Sequence, residues 1–196
     1  MADATRMLAG SVDVSSDSDE PATDARRLRR LVDAHFDFVW RVLRRMGVST
    51  GDVDDAVQQC FLVASKHLAR IGETQERAFL FQTAVRVALA GRRRERRRLE
   101  DGAGALPSIE DSSPGPDALL EQERARRLLD EVLDAMPVEL RAAFVLFELE
   151  GFKLHEVAAA LQVPQGTAAS RVRRARQHYD DHVQRLRARM GRGGAR

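Results

Sequence analysis

The chain has 196 residues, 43% of them hydrophobic and 32% charged, which is enough for one medium domain or two small ones with well-solvated surfaces. The net charge is only +2, but 30 of the 32 basic residues are Arg, six acids fall in residues 1–25, and six Arg fill seven positions from 92 to 98. A single cysteine, Cys60, excludes an internal disulfide framework and a Cys-rich zinc site. No apolar run approaches ~18 residues and no basic-then-apolar leader pattern opens the chain, so no membrane insertion and a cytoplasmic location are expected.

Residues 1–24 are polar and acidic, with Ser15-Ser16-Asp17-Ser18-Asp19-Glu20-Pro21 at their centre. They bury too little apolar area to offset ordering entropy and read as a disordered tail. From Ala25 the pattern becomes helical: Leu28, Leu31, Val32, Phe36, Val39, Trp40, Leu43 and Met46 recur at that period, and Gly47 ends the helix. Ser49 or Thr50 caps a second helix whose apolar stripe is Val53, Ala56, Val57, Cys60, Phe61, Ala64 and Leu68. Thr74 caps a third, which runs through Phe79, Leu80, Ala84, Val87 and Ala88 into the Arg cluster. Residues 101–117 hold three Pro and three Gly and mark a linker.

Beyond the linker Leu119, Leu120, Leu128, Leu129, Val132, Leu133 and Met136 form another helical face. Pro137 suits the first turn of a helix carrying Leu140, Ala143, Phe144 and Phe147, which Gly151 closes. A short helix Leu154 to Leu161 and a long one with Ala168, Val172, Ala175, Tyr179, Val183 and Leu186 inward complete the chain before a basic, Gly/Arg-rich tail at 191–196. No period-2 alternation exists, so the expected fold is all-α: two small helical domains joined by a flexible linker.

The last two helices have helix-turn-helix spacing. The second opens with Gln165, Thr167, Ser170, Arg171, Arg173, Arg174 and Arg176, donors suited to base edges and phosphates, where an ordinary bundle helix needs no such set. Arg92, Arg93, Arg94, Arg96, Arg97 and Arg98 cannot all face one protein partner, so a polyanion suits them better, with strongly salt-dependent binding. Asp52, Asp54, Asp55, Gln58 and Gln59 line the polar side of the second helix, either as a favourable helix start or as a protein-facing surface.

Enzymatic constellations fail one by one. His155-Glu156 begins a zincin-like string, but position 159 is Ala. His178 and His182, one turn apart, fit solvated residues better than a metal pair, and Cys60 lies on a core stripe. No catalytic residue, metal or cofactor is expected.

Residues 31–68 (LVDAHFDFVWRVLRRMGVSTGDVDDAVQQCFLVASKHL) resemble region 2 of bacterial sigma factors, and residues 129–176 (LDEVLDAMPVELRAAFVLFELEGFKLHEVAAALQVPQGTAASRVRRAR) resemble region 4. The short spacer resembles that of the extracytoplasmic-function (ECF) subgroup. The Asp55–Gln58 stretch and the string at 166–176 are the most specific parts. The resemblance assigns 25–100 to a region 2 domain and 118–190 to a region 4 helix-turn-helix domain. It implies a factor that binds core RNA polymerase through the beta and beta-prime subunits and directs it to promoter DNA, with region 2 opening the minus-ten element and region 4 reading the minus-thirty-five element.

By position, Asp52, Asp55, Gln58 and Gln59 would meet the polymerase, residues 70–77 would capture an extruded base, the Arg92–Arg98 segment would grip DNA near the minus-ten element, and Gln165, Thr167, Ser170, Arg171, Arg173, Arg174 and Arg176 would lie at the minus-thirty-five element. The family also brings an anti-sigma protein as an expected partner. The chain departs from the family pattern at Gln59 (usually an acid), at Lys153 (usually Ser or Thr, where Lys has no acceptor for a capping box with Glu156), at Ala168-Ala169 (usually Val-Lys), and at Arg86 and Ala90 (usually Asn and Asp). Promoter sequence therefore does not transfer from other members.

A 17-residue tether reaches roughly 55–60 Å, and the promoter elements lie somewhat under two duplex turns apart, each turn about 34–36 Å. The domains of the free chain are accordingly expected to be loosely related, with polymerase fixing their spacing. The competing readings are a stand-alone helix-turn-helix regulator that binds DNA as a dimer, and a helical adaptor that never reads DNA.

Overall fold

The computed structural model describes residues 20–100 and 117–193, and among them every regular element is helical. The chain runs through α1 (Glu20–Arg45), α2 (Val53–Lys66), α3 (Glu76–Glu100), α4 (Asp117–Asp134), α5 (Val138–Phe144), α6 (Leu154–Leu161) and α7 (Gln165–Gly193). Single 3₁₀ turns at Leu68–Arg70 and Glu73–Gln75 join α2 to α3. α1 starts five residues before the periodic stretch that begins at Ala25, so Glu20–Asp24 belong to a helix and not to the acidic tail. The rest of that tail, the linker at 101–116 and the last three residues lie outside the described residues, whereas Gly191–Gly193 continue α7.

The first module packs α1, α2 and α3 on one another around Leu31, Phe38, Val39, Val42, Leu43, Met46, Val53, Val57, Cys60, Phe61, Leu80 and Phe81. α1 ends in a Schellman turn. Gly47, at φ +87°, donates to Arg44 O while Val48 donates to Leu43 O. The start of α2 differs from expectation: Asp52, not Ser49 or Thr50, holds the N-cap position, and the Ser49 hydroxyl accepts the Asp52 N–H one turn earlier. Pro137 likewise sits at the N-cap of α5, one residue before its first turn.

The second module sets α5 and α6 against α7 over Ala143, Phe144, Val157, Ala168, Val172 and Ala175, with Phe144 stacked on Tyr179 at 5.3 Å. After α5 the chain widens into a π turn at Val145–Leu149, closed by Glu150 N–H to Val145 O, before Gly151 reverses direction at φ +70°. At the head of α6, Glu156 accepts the Lys153 N–H at 2.6 Å, which is one half of a capping box. An ammonium has no lone pair for the other half.

In the structure the two modules pack on each other. α3 packs against α6, and the buried apolar residues of both modules form one continuous cluster. Phe38 of α1 stacks on Phe152 at 6.1 Å, and the Arg77 guanidinium lies over both rings at 4.8 and 4.7 Å. Arg141 of α5 is fully buried against the Gly47 turn of the first module, where an added Cβ would collide with the Arg92 guanidinium and come within 3.0 Å of Arg141 Nη1. Asp134 holds Arg141 at 2.8 Å and Arg92 at 3.0 Å. Burial lowers the pKa of Arg141, the nearby Arg92 charge lowers it further, and Asp134 opposes both.

Candidate polymerase and promoter surfaces

Three polar surfaces carry the sequence-derived candidates. On α2, at about 100° per residue, Asp55, Gln58 and Gln59 share one stripe directly opposite Val53, Ala56, Val57, Cys60 and Ala64, and all three are exposed. Leu62 continues the stripe by one turn and is 55% exposed, although it is a large apolar residue. Sequence reasoning missed it, and the signal was its position: it falls i+7 from Asp55 and i+4 from Gln58, off the core stripe. Asp52 stands apart from this group, because its carboxylate accepts the Ser49 hydroxyl at 2.6 Å in the turn before the helix.

The loop between α2 and α3 is held on α1 at both ends. Arg27 Nη2 donates to Ile71 O, and His35 pairs with Glu76 at 3.2 Å. Gly72, Glu73, Thr74 and Gln75 between these anchors are exposed. Arg92, Arg93, Arg94, Arg96 and Arg97 are all exposed but spread around α3. Arg92 turns toward Asp134, Arg96 pairs with Glu100 at 3.3 Å, and Arg97 donates to Arg93 O at 3.3 Å. The side chain of Arg98 lies outside the described residues.

On α7 the core stripe is Ala168, Val172 and Ala175. Ser170, Arg173 and Arg174 point away from it, Thr167 and Arg171 occupy one shoulder, and Gln165 and Arg176 the other. The Ser170 hydroxyl donates to Thr167 O at 2.9 Å, leaving its oxygen free to accept. Arg176 is drawn sideways into an ion pair with Glu148 and over the Phe147 ring at 5.3 Å. It borders an open groove of about 530 Å³ floored by Phe147, Leu154 and Val172. The structure therefore does not gather the seven candidates onto one face.

His182 faces Glu131 of α4 at 3.6 Å, and no cluster of three metal-ligating side chains exists among the described residues. Cys60 is fully buried, and burial pushes its thiol up to about 12. No helix among the described residues is long and apolar enough to cross a membrane.

The Sigma-70 region 2 model matches residues 31–98 and the Sigma-70 region 4 model matches residues 126–178. The ECF RNA polymerase sigma-E factor of Escherichia coli K12 is 34% identical over 153 residues, covering 71% of this chain and 78% of that protein. The ECF RNA polymerase sigma factor SigE of Mycolicibacterium smegmatis is 32% identical over 158 residues, covering 78% and 60%.

Among solved structures, the sigma factor RpoE of Bartonella quintana in complex with the anti-sigma factor NepR has the same fold, with a TM-score of 0.64, 18% identity, and coverage of 80% of this chain and 96% of that one. CnrH in complex with the cytosolic domain of CnrY follows at a TM-score of 0.60 and 23% identity, with coverage of 83% and 94%. The chain belongs to the ECF family of RNA polymerase sigma factors. As such it binds core RNA polymerase and directs initiation at promoters, its region 2 opening the minus-ten element and its region 4 reading the minus-thirty-five element.

Proposed function

We propose that the stripe Asp55, Gln58, Gln59 and Leu62 is the principal polymerase-docking surface of region 2. Its carboxylate and amides supply directional contacts, and Leu62, at its C-terminal end, supplies an apolar group for a partner to cover. The observation that carries the reading is that all four side chains are exposed and share one face of α2. Asp52 is assigned to the turn with Ser49, at the edge of that surface.

Residues 70–77 form the base-capturing loop, which Arg27 and His35 hold in place on α1. Arg93, Arg94 and Arg97 grip the DNA backbone nearby, joined by Arg92, Arg96 and Arg98 once bound. At the minus-thirty-five element Ser170, Arg173 and Arg174 face the duplex, Thr167 and Arg171 follow the groove edge, and Gln165 and Arg176 meet phosphate.

The protein has no catalysis of its own and works in the cytoplasm. An anti-sigma partner is part of the same proposal, since the similar RpoE structure is a complex with the anti-sigma factor NepR. The test is run-off transcription with core polymerase on a genomic library, read by sequencing the starts. Discrete starts sharing paired upstream elements are expected, and their absence on every cognate template would sink the assignment.

A further inference from the structure

A charged patch on α1 has no role in the surfaces described so far. Four of the five residues from 26 to 30 are Arg. At about 100° per residue, Arg26, Arg29 and Arg30 point away from the core stripe of Leu31, Phe38, Val39 and Val42, and all three are exposed. With Thr23 and Asp33 they line an open groove of about 460 Å³, in which three guanidiniums face a single carboxylate. Among the described residues the side chains of Arg29 and Arg30 enter no ion pair or hydrogen bond. Arg27 differs, because its guanidinium is engaged by Ile71 O.

An ordinary solvated helix face intersperses both signs of charge. Here Arg26 stands i+3 from Arg29 and i+4 from Arg30, where like charges repel and weaken the helix. A polyanion laid across the face would remove that repulsion.

The position of the patch says which polyanion. α1 and α3 run side by side in the same direction: the Gly47 turn lies against Arg92, His35 pairs with Glu76, and Arg27 reaches Ile71. From His35 back to Arg27 is about 12 Å of helix. The arginines therefore project past the start of α3, beside the 70–77 loop, at the end opposite the Arg92–Arg98 segment. Arg26 and Arg30 flank Arg27 within one turn, so the patch borders the loop at Ile71. A strand that enters from duplex held by Arg92–Arg98 and gives up a base to the loop leaves the loop over this end of α1.

We propose that Arg26, Arg29 and Arg30 are a phosphate-binding track for the melted promoter strand on the start-site side of the captured base. The track rests on the base-capturing role of residues 70–77 stated above and adds to it a site for single-stranded DNA on a different helix. It meets phosphates and not base edges, so it prolongs the life of an opened promoter without choosing among promoters.

The test uses the full-length chain with core polymerase on a promoter found by run-off sequencing. A photo-cross-linking p-benzoylphenylalanine replaces Thr74 in one chain and Arg30 in another. The Thr74 label is expected to trap a base of the minus-ten element, and the Arg30 label the same strand a few nucleotides toward the start site. DNA trapped from Thr74 but not from Arg30, or an Arg30 label that traps polymerase alone, would overturn the track and leave the loop reading standing. No DNA trapped from Thr74 would overturn the loop reading and the track with it.

The second arm replaces Arg26, Arg29 and Arg30 together by Ser, keeping Arg27 on Ile71. The half-life of the open complex under heparin challenge is expected to fall about fivefold or more, and its log–log salt dependence to flatten by about 0.7 for each phosphate no longer neutralised. Core polymerase affinity should stay within about twofold, since phosphate contacts are lost and no protein contact is. The triple Lys variant should keep most of the half-life, because a point charge still binds phosphate. An unchanged half-life in the Ser variant, or a loss matched by an equal loss of core affinity, would overturn the proposal.

Discussion

The outer face of α2 and the outer face of α7 are both polar, yet they are built differently. On α2 four side chains line up on one stripe, and none is drawn aside by a hydrogen bond or ion pair among the described residues, so the surface stands ready for one flat contact. On α7 the polar groups wrap most of the circumference, and Arg176 is already committed to Glu148 and Phe147. A stripe suits a protein partner met from one direction. A wrapped helix end suits a groove, whose two phosphate walls flank the base edges that the outward residues reach.

The difference can be broken at its strongest point first. Asp55→Lys reverses charge at the N-terminal end of the α2 stripe and is expected to weaken core polymerase binding by about 30-fold or more, in line with a hot spot of about 2 kcal/mol. Helicity should be retained and the melting temperature should fall only slightly, because Asp55 is exposed and the one cost is a cation in the first turn of α2. Binding measured by fluorescence anisotropy decides it, and an unchanged affinity would remove α2 from the interface.

On α7, Arg174→Ala should cost promoter binding by the polymerase complex about 1–3 kcal/mol. Arg176→Ala should cost less, because its guanidinium must leave Glu148 before it can meet phosphate, which offsets part of what that phosphate contributes. Equal losses in a promoter-binding titration would mean that the wrapped geometry does not sort these residues. The smallest expected effect is on salt dependence. Replacing Arg93 and Arg97 together by Ala should flatten the plot of log affinity against log salt by about 0.7–0.9 for each phosphate that is no longer neutralised, with little change in which promoter is chosen.

The helices were readable because each buries one apolar stripe at the 3.6-residue period, from Leu31–Leu43 in α1 to Ala168–Ala175 in α7. The α2 stripe was readable for the same reason, and Leu62 was overlooked only because an apolar residue was not sought on a polar face, although its spacing from Asp55 and Gln58 put it there. What escaped was everything that depends on contacts between distant parts of the chain. Arg41 and Arg45 meet Glu150 more than a hundred residues away, and nothing local to either site marks them as paired. Arg141, between Leu140 and Ala142, carries no local signal of burial, yet it is fully buried against the Gly47 turn with Asp134 as its ion-pair partner. The π turn left no trace either, since one added residue in a short helix leaves its apolar content unchanged.

That added residue has a consequence for sequence change in this segment. A one-residue deletion within Val145–Leu149 would let the helix resume its ordinary winding, close the widened turn, and change which side chains it presents to Arg176 and to α1. Glu148 and Glu150 would swing off Arg176 and off the arginines of α1 together, while the apolar character of the stretch stayed the same. Chain length here sets the width of one turn, and a homologue shortened by one residue would present a different pair of side chains there, however similar its letters.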